Sequence, residues 1–140
     1  MNKKMKGMPV SRGIVIGKKA IVVSSTNEFE KLQGEDDIIL IVKNFDPNYD
    51  VLLPHCRAVV SEIGSLLCHL AIVARIQNIP AVVNVNNATK CIKDGDIVSL
   101  DANNGILYKG VPDKPLSKNL QEKGDNLSSE ESIDKIIRGL

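Results

Sequence analysis

Apolar positions in this chain fall into short β-branched runs separated by turn residues, with one stretch of helical spacing among them. Ile14-Val15-Ile16 and Ala20-Ile21-Val22-Val23 are predicted as strands interrupted by Gly17. Ile38-Ile39-Leu40-Ile41-Val42 is apolar at every position, the pattern of a strand buried on both faces. Ala58-Val59-Val60 and Ala81-Val82-Val83 read as shorter strands of the same kind. Asp46-Pro47 predicts the start of a short helix, with Asp46 as N-cap and Pro47 at the first helical position. Val51, Leu52 and Leu53 would form its buried side, and Pro54 would end it.

From about Leu67 the spacing becomes helical. Leu67, Leu70, Ala71 and Ala74 follow the i, i+3, i+4, i+7 pattern, while Ile72, Val73 and Ile76 widen the apolar arc. A helix apolar on most sides is expected to pack into the domain rather than lie on its surface. Asn78-Ile79-Pro80 stops it. Lys93-Asp94-Gly95-Asp96 is a turn before Ile97-Val98-Ser99-Leu100, and Asn103-Asn104-Gly105 predicts a hairpin returning through Ile106-Leu107-Tyr108. Strands with helices between them make an α/β domain, drawn as residues 1–109.

Beyond that the pattern fades. Residues 110–127 are polar, contain Pro112 and Pro115, and read as a linker. Ser128 and Glu131 then fit a capping box ahead of Ile133, Ile136, Ile137 and Leu140, an amphipathic turn pattern over residues 128–140. Either a flank docked on its own domain or a partner-docking helix suits that segment.

Composition narrows the function classes. Lys+Arg 18 against Asp+Glu 17 leave a net charge of +1, which provides no electrostatic argument for nucleic acid or an anionic membrane. Aromatic residues are 3%, so base-stacking platforms are scarce. No apolar run approaches a membrane span, and none follows Lys3, Lys4 and Lys6 to make a signal peptide. Cys56, Cys68 and Cys91 are an odd number without short spacing, which points to a reducing cytoplasm rather than a disulfide framework.

Two histidines carry the candidate chemistry. His55, between two elements, is expected to be a solvated loop residue. His69 sits at the start of the apolar helix, where unpaired N–H groups and the positive end of the helix dipole meet. A phosphoryl group on an imidazole placed there would find donors for its oxygens. A positive dipole end also favours a neutral imidazole, whose free nitrogen lone pair is a nucleophile. A metal site from His55, Cys56, Cys68 and His69 lacks the spacing of a common zinc module. Gly7, Gly13 and Gly17 precede strands instead of opening a helix, so they make no dinucleotide loop.

Residues 64–83, GSLLCHLAIVARIQNIPAVV, resemble the phosphohistidine signature of the phosphoenolpyruvate-utilising enzymes. That family includes phosphoenolpyruvate synthase, pyruvate phosphate dikinase and enzyme I of the sugar phosphotransferase system. The glycine-spaced stretch from Gly7 to Gly17 is similar to the opening of the family's mobile domain. Asn87 to Val98, with Gly105-Ile106-Leu107, is similar to its closing hairpin. The resemblance implies a swivelling β/β/α domain, with His69 as phosphoryl acceptor, Cys68 beside it and Arg75 at the motif arginine. It likewise implies a phosphate loop of Gly64, Ser65, Leu66 and Leu67. Six residues at about 100° each place Arg75 off the His69 face of the helix.

The resemblance implies ATP and Mg²⁺ on partner chains, with no cofactor bound by this chain alone. The implied partners are an ATP-binding, ATP-grasp-like chain and a phosphoenolpyruvate- or pyruvate-binding chain. The sequence has room for neither domain and lacks a glycine-rich loop ending in Lys-Ser/Thr. It departs from the family pattern at Ser65, in place of a second glycine, at Leu66-Leu67, in place of polar residues, and at Leu70. Two functions are compatible with these residues: a phosphoryl-carrier subunit, or a non-catalytic binding or regulatory module of the same fold.

Overall fold

The computed structural model describes residues 3–112; the segment 128–140 and most of the expected linker lie outside them. The eight strands are β1 (Lys3–Lys6), β2 (Met8–Ser11), β3 (Ile14–Val23), β4 (Ile38–Asn44), β5 (Cys56–Ile63), β6 (Ala81–Val83), β7 (Ile97–Asp101) and β8 (Ile106–Lys109). Two 3₁₀ segments, Thr26–Leu32 and Pro47–His55, and two helices, α1 (His69–Gln77) and α2 (Ala88–Cys91), connect them. The strand order is β1-β8-β7-β3-β4-β5-β6-β2. Strands β3, β4, β5 and β6 are parallel neighbours, and every other pairing is antiparallel.

Strand β4 explains the layering. Ile38, Ile39, Leu40, Ile41 and Val42 are all buried, as a run without polar breaks requires. Because side chains alternate across a strand, the run feeds two cores. Ile38, Leu40 and Val42 join Leu53, Leu70, Ala71 and Ala74 on the side of α1. Ile39 and Ile41 join Ala58, Val60, Val98, Leu100 and Leu107 on the other side, where the antiparallel β7–β8 arm covers the parallel sheet. The result is a mixed, sheet-dominated α/β domain with few helices, as expected from the strand-rich pattern.

Several local expectations change. Ile14 to Val23 form one ten-residue strand rather than two. Gly17, at φ +66, sits in a register shift between Val15 and Lys18, a bulge conformation that glycine adopts without strain. Through it β3 pairs with β7 over its first part and with β4 over its last. The Ala58-Val59-Val60 run extends to all of β5, and the Asn103-Asn104-Gly105 turn joins β7 to β8 in register.

The segment after Asp46 is 3₁₀ rather than α-helical and continues past Pro54 to His55. Asp46 caps it as expected, accepting the Asn48 N–H at 2.8 Å. Its buried side is Tyr49, Leu52 and Leu53. Val51 is 65% exposed, because the tighter turn rotates it away from the core.

Helix α1 also differs. It starts at His69, leaving Leu67 outside it, and only Leu70, Ala71 and Ala74 are buried. Ile72 and Ile76 face outward, so α1 lies on the surface with one face down. The apolar arc overstated its burial because, among the described residues, no second layer covers the outer face. Asn78 ends the helix in the left-handed conformation at φ +59, its N–H reaching Ala74 O and Arg75 O.

Leu40→Ala is expected to cost about 2–5 kcal/mol in urea unfolding, as for other buried leucines. Val51→Ala should stay within about 0.5 kcal/mol, as exposed positions do.

Candidate functional site

The site is assembled where three segments meet at the start of α1. Residues 64–67 form a tight approach from β5. The Gly64 N–H donates to Asn84 Oδ1 at 3.1 Å, the Leu67 N–H to Ser65 Oγ at 3.3 Å, and the Cys68 N–H to Ser65 O at 3.2 Å. Ser65 thus turns the loop on itself with its own hydroxyl. Gly64 is sterically required: a Cβ there would lie 2.8 Å from Val83 Cβ and 3.3 Å from Cys68 Sγ. The glycine of the motif is accounted for by packing on β6.

Cys68 is the N-cap of α1 in extended backbone conformation, and its side chain makes no cap hydrogen bond. The first turn contains no acidic residue. Among the described residues the amides that open the helix therefore have no side-chain acceptor, and the positive dipole end is uncompensated within the helix. Leu70 and Ala71, immediately beyond His69, are buried and anchor that turn on the core.

His69 projects from this point with 40% of its side chain exposed. Its Nε2 is 2.9 Å from Asp50 Oδ1 and 2.8 Å from Asp50 Oδ2. Its ring stacks against Phe45, with centroids 6.4 Å apart and planes 22° from parallel. Phe45 packs edge-on against Tyr49 at 5.6 Å, and Tyr49 against Phe29 at 5.5 Å. Three of the chain's four aromatic residues thus form one row ending at the histidine. Burial holds the Tyr49 hydroxyl above its ordinary range, with the nearby Asp46 and Glu28 carboxylates adding to it.

Asp50 and Phe45 belong to no motif in the sequence. They lie 19 and 24 residues before His69, and only the placement of the Pro47–His55 segment beside α1 brings them to the ring. Once Tyr49, Leu52 and Leu53 face the core, Asp50 must point outward, and that is the one clue the pattern contained.

The remaining predicted residues take distinct places. Arg75 does not reach His69. Its Nε donates to Val10 O at 2.7 Å and its Nη2 to Leu66 O at 3.1 Å. It therefore ties the loop to β2, and the helix periodicity anticipated that it would miss the histidine face. Leu66 and Leu67 are 52% and 82% exposed and form an apolar rim beside His69. His55 ends the 3₁₀ segment and is not merely solvated, since its Nδ1 lies 2.8 Å from Asp36 Oδ1.

Cys56 is buried, with its Sγ–H on Leu52 O at 3.2 Å, and burial pushes its thiol up to about 12. Among the described residues no group of three or more His, Cys, Asp and Glu side chains converges on one point. Nor is any described helix long and apolar enough to cross a membrane.

The profile described as "PEP-utilising enzyme, mobile domain" matches residues 34–105, just over half of the chain. The chain belongs to this family of mobile domains of phosphoenolpyruvate-utilising enzymes. It is 34% identical over 107 residues to the phosphoenolpyruvate synthase of Aeropyrum pernix, covering 76% of this chain and 13% of that protein. It is 37% identical over 101 residues to the rifampicin phosphotransferase of Bacillus cereus, covering 72% of this chain and 11% of that protein.

The mobile domain thus spans a small fraction of the curated relatives that it matches. Among solved structures, Enzyme I aligns with TM-score 0.51 and 28% identity, over 64% of this chain and 36% of that one. Aconitase X of Thermococcus kodakaraensis shares the fold alone, with TM-score 0.54 at 19% identity, over 76% of this chain and 98% of that one.

Two outcomes test this description of the mobile-domain site. Gly64→Ala should lower stability by about 1–3 kcal/mol through overpacking against Val83, read from the unfolding midpoint. Iodoacetamide at pH 8 should alkylate half-buried Cys68 and Cys91 in the native protein and spare Cys56, read by peptide mass, because only an accessible thiolate reacts.

Proposed function

We propose that this chain is a phosphoryl carrier that accepts phosphate on His69 and passes it between the active sites of partner chains. The observation that carries the reading is the position of His69 itself. It is the first residue of an uncapped helix, half-exposed, and held by Asp50 and Phe45 at the rim of the domain. An imidazole nitrogen attacks the donor phosphorus, a P–N bond forms, and the P–O bond to the leaving group breaks with its electron pair on oxygen. The helix-start amides and dipole then receive the new negative charge. A later acceptor breaks the P–N bond and frees the ring.

The donor nucleotide, Mg²⁺ and the acceptor belong to partner chains, an ATP-grasp-like chain and a phosphoenolpyruvate- or pyruvate-binding chain. The family membership supports partners of this kind, since the relatives contain this domain as a small part of much longer chains. Arg75 and Gly64 act on loop shape, Arg75 by tethering Leu66 and Gly64 by allowing contact with Val83. The domain moves as a swivelling unit between the two sites in this reading. The free thiols of Cys56, Cys68 and Cys91 suit a reducing cytoplasm.

A binding or regulatory role is the second reading, and Leu67, 82% exposed beside the histidine, is the feature that favours it. The two separate in one experiment. Incubation with a cognate ATP-binding chain, ATP and Mg²⁺ should place an acid-labile, base-stable phosphate on the protein, lost in His69→Ala. A stable complex with that partner but no such phosphate would leave the binding module as the function.

A further inference from the structure

The arginines of this chain are gathered in one place. Four occur in the sequence, Arg12, Arg57, Arg75 and Arg138, and the three among the described residues line two adjoining cavities. One, of about 370 Å³, is bounded by Arg12, Arg57 and Asn78, with Ile14, Ile79 and Pro80 as an apolar wall. The other, of about 320 Å³, lies between Ser11, Arg12, Arg75 and Asn78. Because Arg12 and Asn78 belong to both, the two form one groove. Neither cavity is lined by an Asp or a Glu. On a chain of net charge +1 this is a local positive field, not a reflection of composition.

The domain itself neutralises little of that charge. Arg12 is exposed and makes no hydrogen bond or ion pair among the described residues. Arg57 meets Asp37 at 3.3 Å, but the same carboxylate takes Lys18 at 2.7 Å, so one negative charge is divided between two cations. Arg75 donates to the carbonyls of Val10 and Leu66, neutral acceptors that leave its charge uncompensated. The negative end of α1 lies at Asn78 and opposes an anion there. That end is already occupied, since the Asn78 and Ile79 N–H groups donate to Arg75 O and Ala74 O at 3.3 and 2.9 Å.

The walls are held in place before any ligand arrives. Arg12 stands between β2 and β3, next to Gly13, whose φ of +143 and contact with Pro80 admit no side chain. The Gly13 N–H donates to Asn103 Oδ1 at 3.2 Å, and Gly13 O accepts the Ala102 N–H at 2.8 Å. Arg57 lies in β5 and Asn78 caps α1, so all three elements are fixed by the core. Each guanidinium presents a planar fork of donors that fits two oxygens of one anionic group, which an ammonium does not.

We infer that this groove binds a small phosphate-bearing molecule with at least two anionic groups. It opens at the start of β5, whereas the His69 loop follows the end of that strand. The inference therefore stands apart from the carrier reading. A phosphate group brings about two negative charges against the one of a carboxylate, which suits several arginines without an acid between them. Ile14, Ile79 and Pro80 would take the apolar part of the ligand.

Sodium pyrophosphate is the probe, added to ¹⁵N-labelled protein at constant ionic strength. Saturating shifts are expected at the Gly13 and Asn78 amides and the Arg12 Nε–H. Arg12→Gln should keep the melting temperature of the free protein and raise the Kd about tenfold, the scale of a hydrogen bond to a charged group. Arg12→Lys, which keeps the charge and loses the fork, should weaken binding by less. Arg57→Gln checks the same groove from its other wall and should also raise the Kd. Shifts confined to residues 68–70 would assign the anion to the start of α1 and overturn the inference. So would shifts that sodium chloride reproduces, or a Kd unchanged in both glutamine variants.

Discussion

The five-residue run from Ile38 to Val42 has no polar side on which to rest, and most of the architecture follows from covering it. A strand buried on both faces needs a layer on each side. One layer is α1 with the two 3₁₀ segments; the other is the antiparallel β7–β8 arm folded back over the parallel strands. The long β3 serves both sheets, turning between them at the Gly17 bulge. α1 and the Pro47–His55 segment are therefore neighbours on one face because both must cover the same strands.

That shared duty creates the site. The Pro47–His55 segment buries Tyr49, Leu52 and Leu53, which leaves Asp50 on its outer side. α1 buries Leu70, Ala71 and Ala74, which sets His69 at the edge nearest that segment. Neither element has to be shaped for chemistry beyond this. The aromatic row from Phe29 through Tyr49 and Phe45 fills the seam between them and ends in contact with the imidazole. A chain with few aromatic residues has placed three of its four in one row that ends at the His69 ring.

The loop departures also find physical explanations. Ser65 replaces a glycine without blocking the turn, since its hydroxyl accepts the Leu67 N–H and its carbonyl the Cys68 N–H. Gly64, by contrast, has no room for a side chain. Arg75 keeps a structural duty by bonding the carbonyls of Val10 and Leu66, which fixes the loop from beneath. Leu66 and Leu67 remain exposed next to the histidine. They make an exposed apolar rim beside His69, in a domain that matches a small part of much longer relatives.

By itself the sequence determined what local spacing controls. The apolar strand runs, the Asp46 cap, the Asn78 stop, the turn before Ile106 and the family-like stretch around His69 are all near-neighbour patterns. It misjudged Val51, Leu67 and the outer face of α1, because apolarity along a chain does not say whether another layer will arrive to cover it. Only the tertiary structure decided that Gly17 joins two strands into one, that Arg75 points to the loop, and that Asp50 and Phe45 hold His69. Those contacts join residues far apart in the chain through the packing of two elements on a common strand. No periodicity within either element records them.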